Sequence, residues 1–274
     1  MLRELLEVRL GALAVMAPTV FAVAMIVAVV LQFVRRRWPP REPLAPRRQS
    51  LLTDLGYMFL SPASEGFART VAMCVLGACA WLIGQRVGPE LLEGFGPLRR
   101  QPQWAQVVEI LLLGDLLYYW IHRLAHTWPL LWRVHAIHHS TRHMRPISAM
   151  RAHPGEAYVQ AIQLIPLFLL GLPLEALFAI APFSLLYALF IHSNLNVSLG
   201  PLRFILNTPA FHRWHHALEG KTRTTNFAGW FTFYDVLFGT YRLSSRRPAE
   251  LGIDEPAMPT TCFGQLAHPF RRRR

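Results

Sequence analysis

The histidines of this 274-residue chain are gathered, not scattered. Of twelve, none precedes His122 and eleven fall between His122 and His216. His122 and His126 are four positions apart, which puts them on one helix face about 6 Å apart along the axis. His135, His138 and His139 form H-x-x-H-H, and His212, His215 and His216 repeat that spacing. Positions i, i+3 and i+4 converge on one side of a helix, so three imidazoles can point into a common site. Neutral imidazole is a donor for iron, copper, zinc or nickel. Eight such ligands exceed what one tetrahedral zinc uses. Two six-coordinate metals could use them and keep positions for water or dioxygen. A haem held by two axial histidines does not explain paired H-x-x-H-H motifs. All-neutral ligation leaves the metal charge uncompensated, and Asp115, seven residues before His122 on nearly the same helix face, could balance it from outside the ligand set.

Something must hold these side chains, and the composition says in what solvent. Apolar residues make up 53% of the chain and charged residues only 16%, against about 25% charged in soluble domains. Lipid is therefore part of the expected surroundings. The net charge of +12 would suit nucleic acid, but the arginines flank apolar runs and are not interleaved with a nucleic-acid module, so that class is excluded. The three cysteines are odd in number, and Cys74 and Cys79 lie inside an apolar run; they read as small core residues, not as a disulfide framework. No cleavable signal peptide is expected, because the first apolar run is long, lacks a small-residue cleavage site and ends in arginines.

Leu13 to Val34 is 22 residues without a charge, enough to cross a hydrocarbon core of ~30 Å. The basic, proline-broken stretch 35–48 that follows is cytoplasmic under the positive-inside rule. A second span is expected from Phe67 to Ile83 and a third from Val107 to Ile121, the latter carrying Asp115 at a depth where a carboxylate is costly. The apolar block Tyr158 to Ile191, punctuated by Gly171-Leu172-Pro173, reads as a helical hairpin returning to its starting side. His122 and the hairpin's His192 then meet at one face. The aromatic set Tyr118, Tyr119, Trp120, Trp128 and Trp132 reads as an interfacial belt. His143 and His268 lack cluster partners and read as solvated surface residues.

With these motifs in order, the sequence resembles the fatty acid hydroxylase / sterol desaturase superfamily. The resemblance spans about Asp115 to Tyr241 and includes GDLLYYWIHRLAH, RAHPGE, FIHSNL and TNFAGWFTFYDVLFGTY. It departs in having Asn226-Phe227-Ala228 for the frequent N-Y-G, and Tyr234 for the usual Trp before the late Asp. The resemblance implies a membrane-bound, non-haem di-iron oxygenase that hydroxylates or desaturates a lipid. It implies two iron ions, dioxygen, and electrons from a separate ferredoxin-, rubredoxin- or cytochrome-type donor. It implies His122, His126, His135, His138, His139, His212, His215 and His216 as metal ligands, His192 as a ninth and His153 as a possible tenth. Asp115, Glu156 in H-P-x-E and Asn194 in H-S-N are the candidate catalytic residues.

The expectation is an all-α, multi-pass integral membrane bundle with a cytoplasmic histidine-rich cap, in a bacterial inner membrane. Its parts are an N-terminal span and basic linker (1–50), the oxygenase domain (51–245) and a basic C-terminal tail (246–274). Two other readings stay open: a catalytically silent metal- or lipid-binding protein, and a divalent-metal transporter, which would want ligands deep within the spans.

Overall fold

The computed structural model describes residues 48–82, 96–197, 199–219, 222–255 and 258–271, all within one compact unit, Pro43–Arg274. The expected span Leu13–Val34 lies outside the described residues. What is described is helical, with one isolated bridge between Ala217 and Leu251 and no sheet among the described residues. The α-helices are α1 (Arg48–Leu82), α2 (Gln103–Thr127), α3 (Pro129–His139), α4 (Pro154–Ala161), α5 (Leu164–Leu169), α6 (Leu174–Ile191), α7 (Pro209–His215), α8 (Phe233–Leu237) and α9 (Cys262–Ala267).

Helix α1 begins well before the expected span at Phe67 and carries Pro62 inside it. Its first half forms no apolar run because its polar face is the one that is buried. Thr53, Asp54, Tyr57 and Ser61 recur along one face and are all buried, while Leu52, Phe59 and Phe67 are exposed. Three of them have polar partners: Thr53 donates to the Thr260 carbonyl (2.6 Å), Ser61 to the Met150 carbonyl (2.6 Å), and Asp54 receives Arg151.

Among the described residues α2 is the helix long and apolar enough to cross a membrane; 25 residues span roughly 37 Å. Asp115, Tyr119, His122 and His126 are buried along one side of it, spaced four, three and four apart as one helix face requires. Trp104, Val108, Trp120 and Leu124 are exposed. The apolar block after it breaks as its punctuation predicts. Short α5 ends at Leu169, Gly171 turns the chain at φ +95°, and Pro173 caps α6. A side chain at Gly171 would lie 2.5 Å from the Gly96 carbonyl oxygen, so glycine is required there on both counts. Ile110, Leu167, Phe168, Leu172, Leu177 and Ile180 form the apolar core joining α2, α5 and α6.

Candidate metal centre

Nine histidines converge, and they divide into two groups. His122, His126, His135, His139 and His215 form one; His138, His192, His212 and His216 form the other, all nine buried. Within each group the potential ligand nitrogens lie within 4.8 Å of one another. Each H-x-x-H-H motif is shared between them. His135 and His139 from α3 join the first group while His138 joins the second; His212 and His216 join the second while His215 joins the first. Helix geometry explains the division: i and i+4 differ by about 40° around the axis, whereas i+3 and i+4 differ by about 100°. The two groups touch, with the rings of His139 and His216 stacked at 4.3 Å.

The hydrogen bonds fix the tautomers. Nδ1–H of His122 donates to the Phe227 carbonyl (2.7 Å) and that of His215 to the Thr225 carbonyl (2.9 Å). His135 donates from Nδ1 to Glu156 Oε1 (2.9 Å), His138 to the Arg151 carbonyl (3.2 Å) and His192 to the Ala188 carbonyl (2.7 Å). In a neutral imidazole this leaves Nε2 as a lone pair. Yet Nε2 of His122 faces Nε2 of His135 at 3.0 Å, and Nε2 of His138 faces that of His192 at 3.2 Å. Lone pair against lone pair is repulsive unless a cation sits between them. Nε2 of His215 is buried with no hydrogen-bond partner at all. Two nitrogens at right angles on an ion about 2.1 Å away lie about 3.0 Å apart. The donor set and its spacing therefore fit two metal ions, one for each group.

Burial depresses the imidazole pKa values further, and neighbouring imidazoles add to it. His138, His139, His212 and His216 sit well below their ordinary range. Burial pulls His192 down to about 4 and His215 to about 3. The rings are thus held neutral at physiological pH, the form that binds metal.

One loop orients both His122 and His215, and two carboxylates hold that loop. Asp115 accepts from the backbone N–H groups of Gly229, Trp230 and Phe231 at 2.9, 2.9 and 2.7 Å. Asp235 accepts from those of Phe227 (2.8 Å) and Ala228 (2.9 Å) and from the Thr240 hydroxyl (2.6 Å). Asn226 turns the loop in the left-handed region, φ +64°, where asparagine is among the few tolerated side chains. Its side chain bonds the Phe211 and Arg242 backbone. A Cβ on Gly229 would stand 2.9 Å from Asp115 Oδ1, so the loop approaches α2 as closely as a glycine allows. Asp115 thus positions the loop whose carbonyls orient His122 and His215. The sequence named Asn226 and the late Asp235 only as motif positions and gave neither a part in the site.

The other expected site residues are placed as follows. Glu156 holds His135 and lines the cavity described below, and its Oε2 is buried without a partner. His153 stands outside both histidine groups. Its Nδ1 accepts from Gly155 N–H (3.0 Å), capping α4, and its Nε2–H donates to the Leu266 carbonyl (3.2 Å), so neither nitrogen is free for a metal. Asn194 is near His192 in sequence, but its Oδ1 accepts from Arg247 (2.9 Å) and Arg213 (3.3 Å). His268 is not the solvated residue expected: 13% of its side chain is exposed and it faces Glu255 at 3.5 Å.

A cavity of about 330 Å³ opens onto both groups, touching His122 of the first and His138, His192 and His212 of the second. Ile110, Leu167, Leu177 and Ile180 line its apolar part, and Glu65, Arg69, Gln160 and Gln163 add polar groups to its wall.

The fold and site define a helical protein with two buried histidine groups able to bind metal beside an apolar chamber. Residues 107–240, the segment that holds all nine clustered histidines, match the fatty acid hydroxylase family. It is 36% identical to ornithine lipid hydroxylase OlsE of Rhizobium tropici over 174 residues, 63% of this chain and 52% of that protein. It is 40% identical to the alkylglycerol monooxygenase of Danio rerio over 128 residues, 46% of this chain and 28% of that protein. The human alkylglycerol monooxygenase is 36% identical over 134 residues, 48% of this chain and 30% of that protein. The chain thus spans about half the length of the first relative and less than a third of the other two. No solved structure matches it.

Proposed function

We propose that this chain is a membrane-bound di-iron oxygenase that hydroxylates a lipid C–H bond, with desaturation as the variant that shares the same hydrogen abstraction. The observation that carries the reading is the pair of histidine groups with facing Nε2 lone pairs, opening together onto one mainly apolar cavity. His122, His126, His135, His139 and His215 would hold one iron, and His138, His192, His212 and His216 the other. Iron bound there supplies the redox chemistry that activates dioxygen. The chain's own part is to exclude water, hold the imidazoles in one tautomer through Nδ1, and aim an acyl or alkyl chain at the groups. Glu156, with one oxygen on His135 and the other in the cavity wall, would orient that imidazole beside the substrate chamber.

The names of the relatives support a lipid with a polar head as substrate, and hydroxylation over desaturation. The polar wall of the cavity, Glu65, Arg69, Gln160 and Gln163, suits such a head. The balance is RH plus dioxygen plus two electrons and two protons giving ROH and water, so an external electron donor is part of the reading. We place the protein in the bacterial inner membrane, with α2 crossing and the histidine groups at the cytoplasmic face. Lipid analysis of a deletion strain beside its parent tests this. An oxygen-dependent hydroxylated lipid absent from the deletion strain is expected; iron in the purified protein with identical lipid profiles would point instead to a silent metal-binding member.

A further inference from the structure

On the oxygenase reading, two electrons must reach the histidine groups in each turnover, and the structure offers an entry point. Trp132 on α3 is buried, with 4% exposure. Its ring lies 5.2 Å from His126 and 5.6 Å from His139, both members of the five-histidine group. Over its face sits the Arg223 guanidinium, 3.7 Å from the ring centroid, on a residue that is itself exposed. The indole N–H donates to Glu255 Oε1 (2.8 Å), which fixes the ring plane. Trp132 is therefore one side chain below the surface and in contact with two candidate ligands. Trp214 makes the useful contrast: Arg242 and Arg246 cover it in the same way, but no ring contact ties it to an imidazole among the described residues.

The surface around Trp132 is basic with an apolar margin. Arg133, the next residue, donates to the Arg271 carbonyl at 3.3 Å, so Arg271 lies against the same helix. Trp128 and Leu130 are exposed at the corner between α2 and α3. The acidic group facing Trp132 is Glu255, which is shared with His268. Such a surface complements an acidic protein, and charge of this kind chiefly steers encounter and orientation.

We infer that an acidic one-electron carrier protein docks over Arg223 and that Trp132 conducts its electrons to the five-histidine group. This rests on the oxygenase reading. Each docking event oxidises the carrier by one electron and reduces the bound metal pair by one; two events supply a turnover, and Trp132 serves as the tunnelling medium and ends unchanged. The metal–ligand imidazoles of His126 and His139 complete the path.

The test uses the full chain, iron-loaded, in phosphatidylcholine nanodiscs. The probe is an acidic two-iron, two-sulfur ferredoxin, and the control reductant is methyl viologen radical cation, which needs no docking surface. Affinity for oxidised ferredoxin is measured by titration, and reduction of the iron by stopped-flow absorbance. Wild type should bind ferredoxin in a salt-sensitive manner. Arg223→Glu should weaken binding about tenfold and leave reduction by viologen unchanged. Trp132→Leu, confirmed to retain iron, should keep ferredoxin binding yet slow ferredoxin-driven reduction about tenfold, with Trp132→Phe recovering most of the rate. Absence of ferredoxin binding by wild type, or equal binding by Arg223→Glu, would overturn the docking surface. So would a finding that Arg223→Glu impairs only association with phosphatidylglycerol vesicles, which would make the arginine a lipid contact. Failure of viologen to reduce the iron would count against the oxygenase reading instead, while the binding titration would still decide the surface.

Discussion

The carbonyls of Thr225 and Phe227, two residues apart on one loop, each take the Nδ1–H of a histidine in the same group, His215 and His122. A single loop therefore sets the rotation of two rings that come from different helices. Asp115 and Asp235 grip that loop from opposite ends through five backbone N–H groups in all. The carboxylate buried in α2 thus acts on the metal site through the backbone.

From this follows the first expectation. Asp115→Ala should free the loop, loosen His122 and His215, and lower iron affinity about 10- to 100-fold, the usual cost of removing a partner that orients a ligand. Iron content at controlled free-iron levels reads this. Asp115→Asn, which keeps one acceptor oxygen, should fall between the two. Unchanged iron affinity in Asp115→Ala would mean the loop is held without it.

His192 and His153 should separate cleanly. His192 Nε2 lies 3.2 Å from His138 Nε2 and 3.0 Å from His212 Nε2, so His192→Ala should abolish turnover and empty the four-histidine group. His153 spends both nitrogens on protein partners. His153→Ala should keep iron and lose some stability, about 1 kcal/mol for a helix cap. Loss of iron from His153→Ala, by metal analysis, would make it a ligand after all.

Much of this site was legible in the sequence, and the parts that were not have physical causes. Spacing put eight histidines on helix faces and the hairpin brought His192 to them. Spacing alone separates i+3 from i and i+4 by about 100°, but which motif member joins which group depends on how the helices pack together. The orienting partners of His122, His138, His192 and His215 are backbone carbonyls, which no side-chain type announces. Helix α1 escaped because its polar side faces inward. His153 shares a motif with Glu156, and the motif could not say which of the two faces the metal groups.

The cavity gives a third expectation. Ala181 lines it from α6, so Ala181→Phe should fill space that an acyl chain would occupy. Turnover of a long-chain substrate should drop at least about tenfold while iron content stays at wild-type level, since no ligand is moved. Normal turnover in this variant would place the substrate elsewhere.

Acid should release the metal late. Protons compete with metal for Nε2 only when a ring can be protonated, and burial holds His192 down to about 4 and His215 to about 3. The pKa values lie below the unfolded-state value, so protonation becomes favourable only as pH falls through that lower range, and retention is complete above about 6.5. Iron retained after brief dialysis at stepped pH should stay near its neutral value at pH 6 and fall toward pH 4. Half-release near pH 6.5 would indicate solvated, ordinary imidazoles.

The central claim is that two metal sites exist, each built from its own histidines, and metal stoichiometry tests it most directly. Protein purified without chelators should hold about two irons per chain, as two groups of imidazole donors require. His126→Ala and His216→Ala should each lower the count toward one, by emptying different groups. Wild-type protein holding one metal per chain, or zinc alone with no activity restored by iron, would contradict the account.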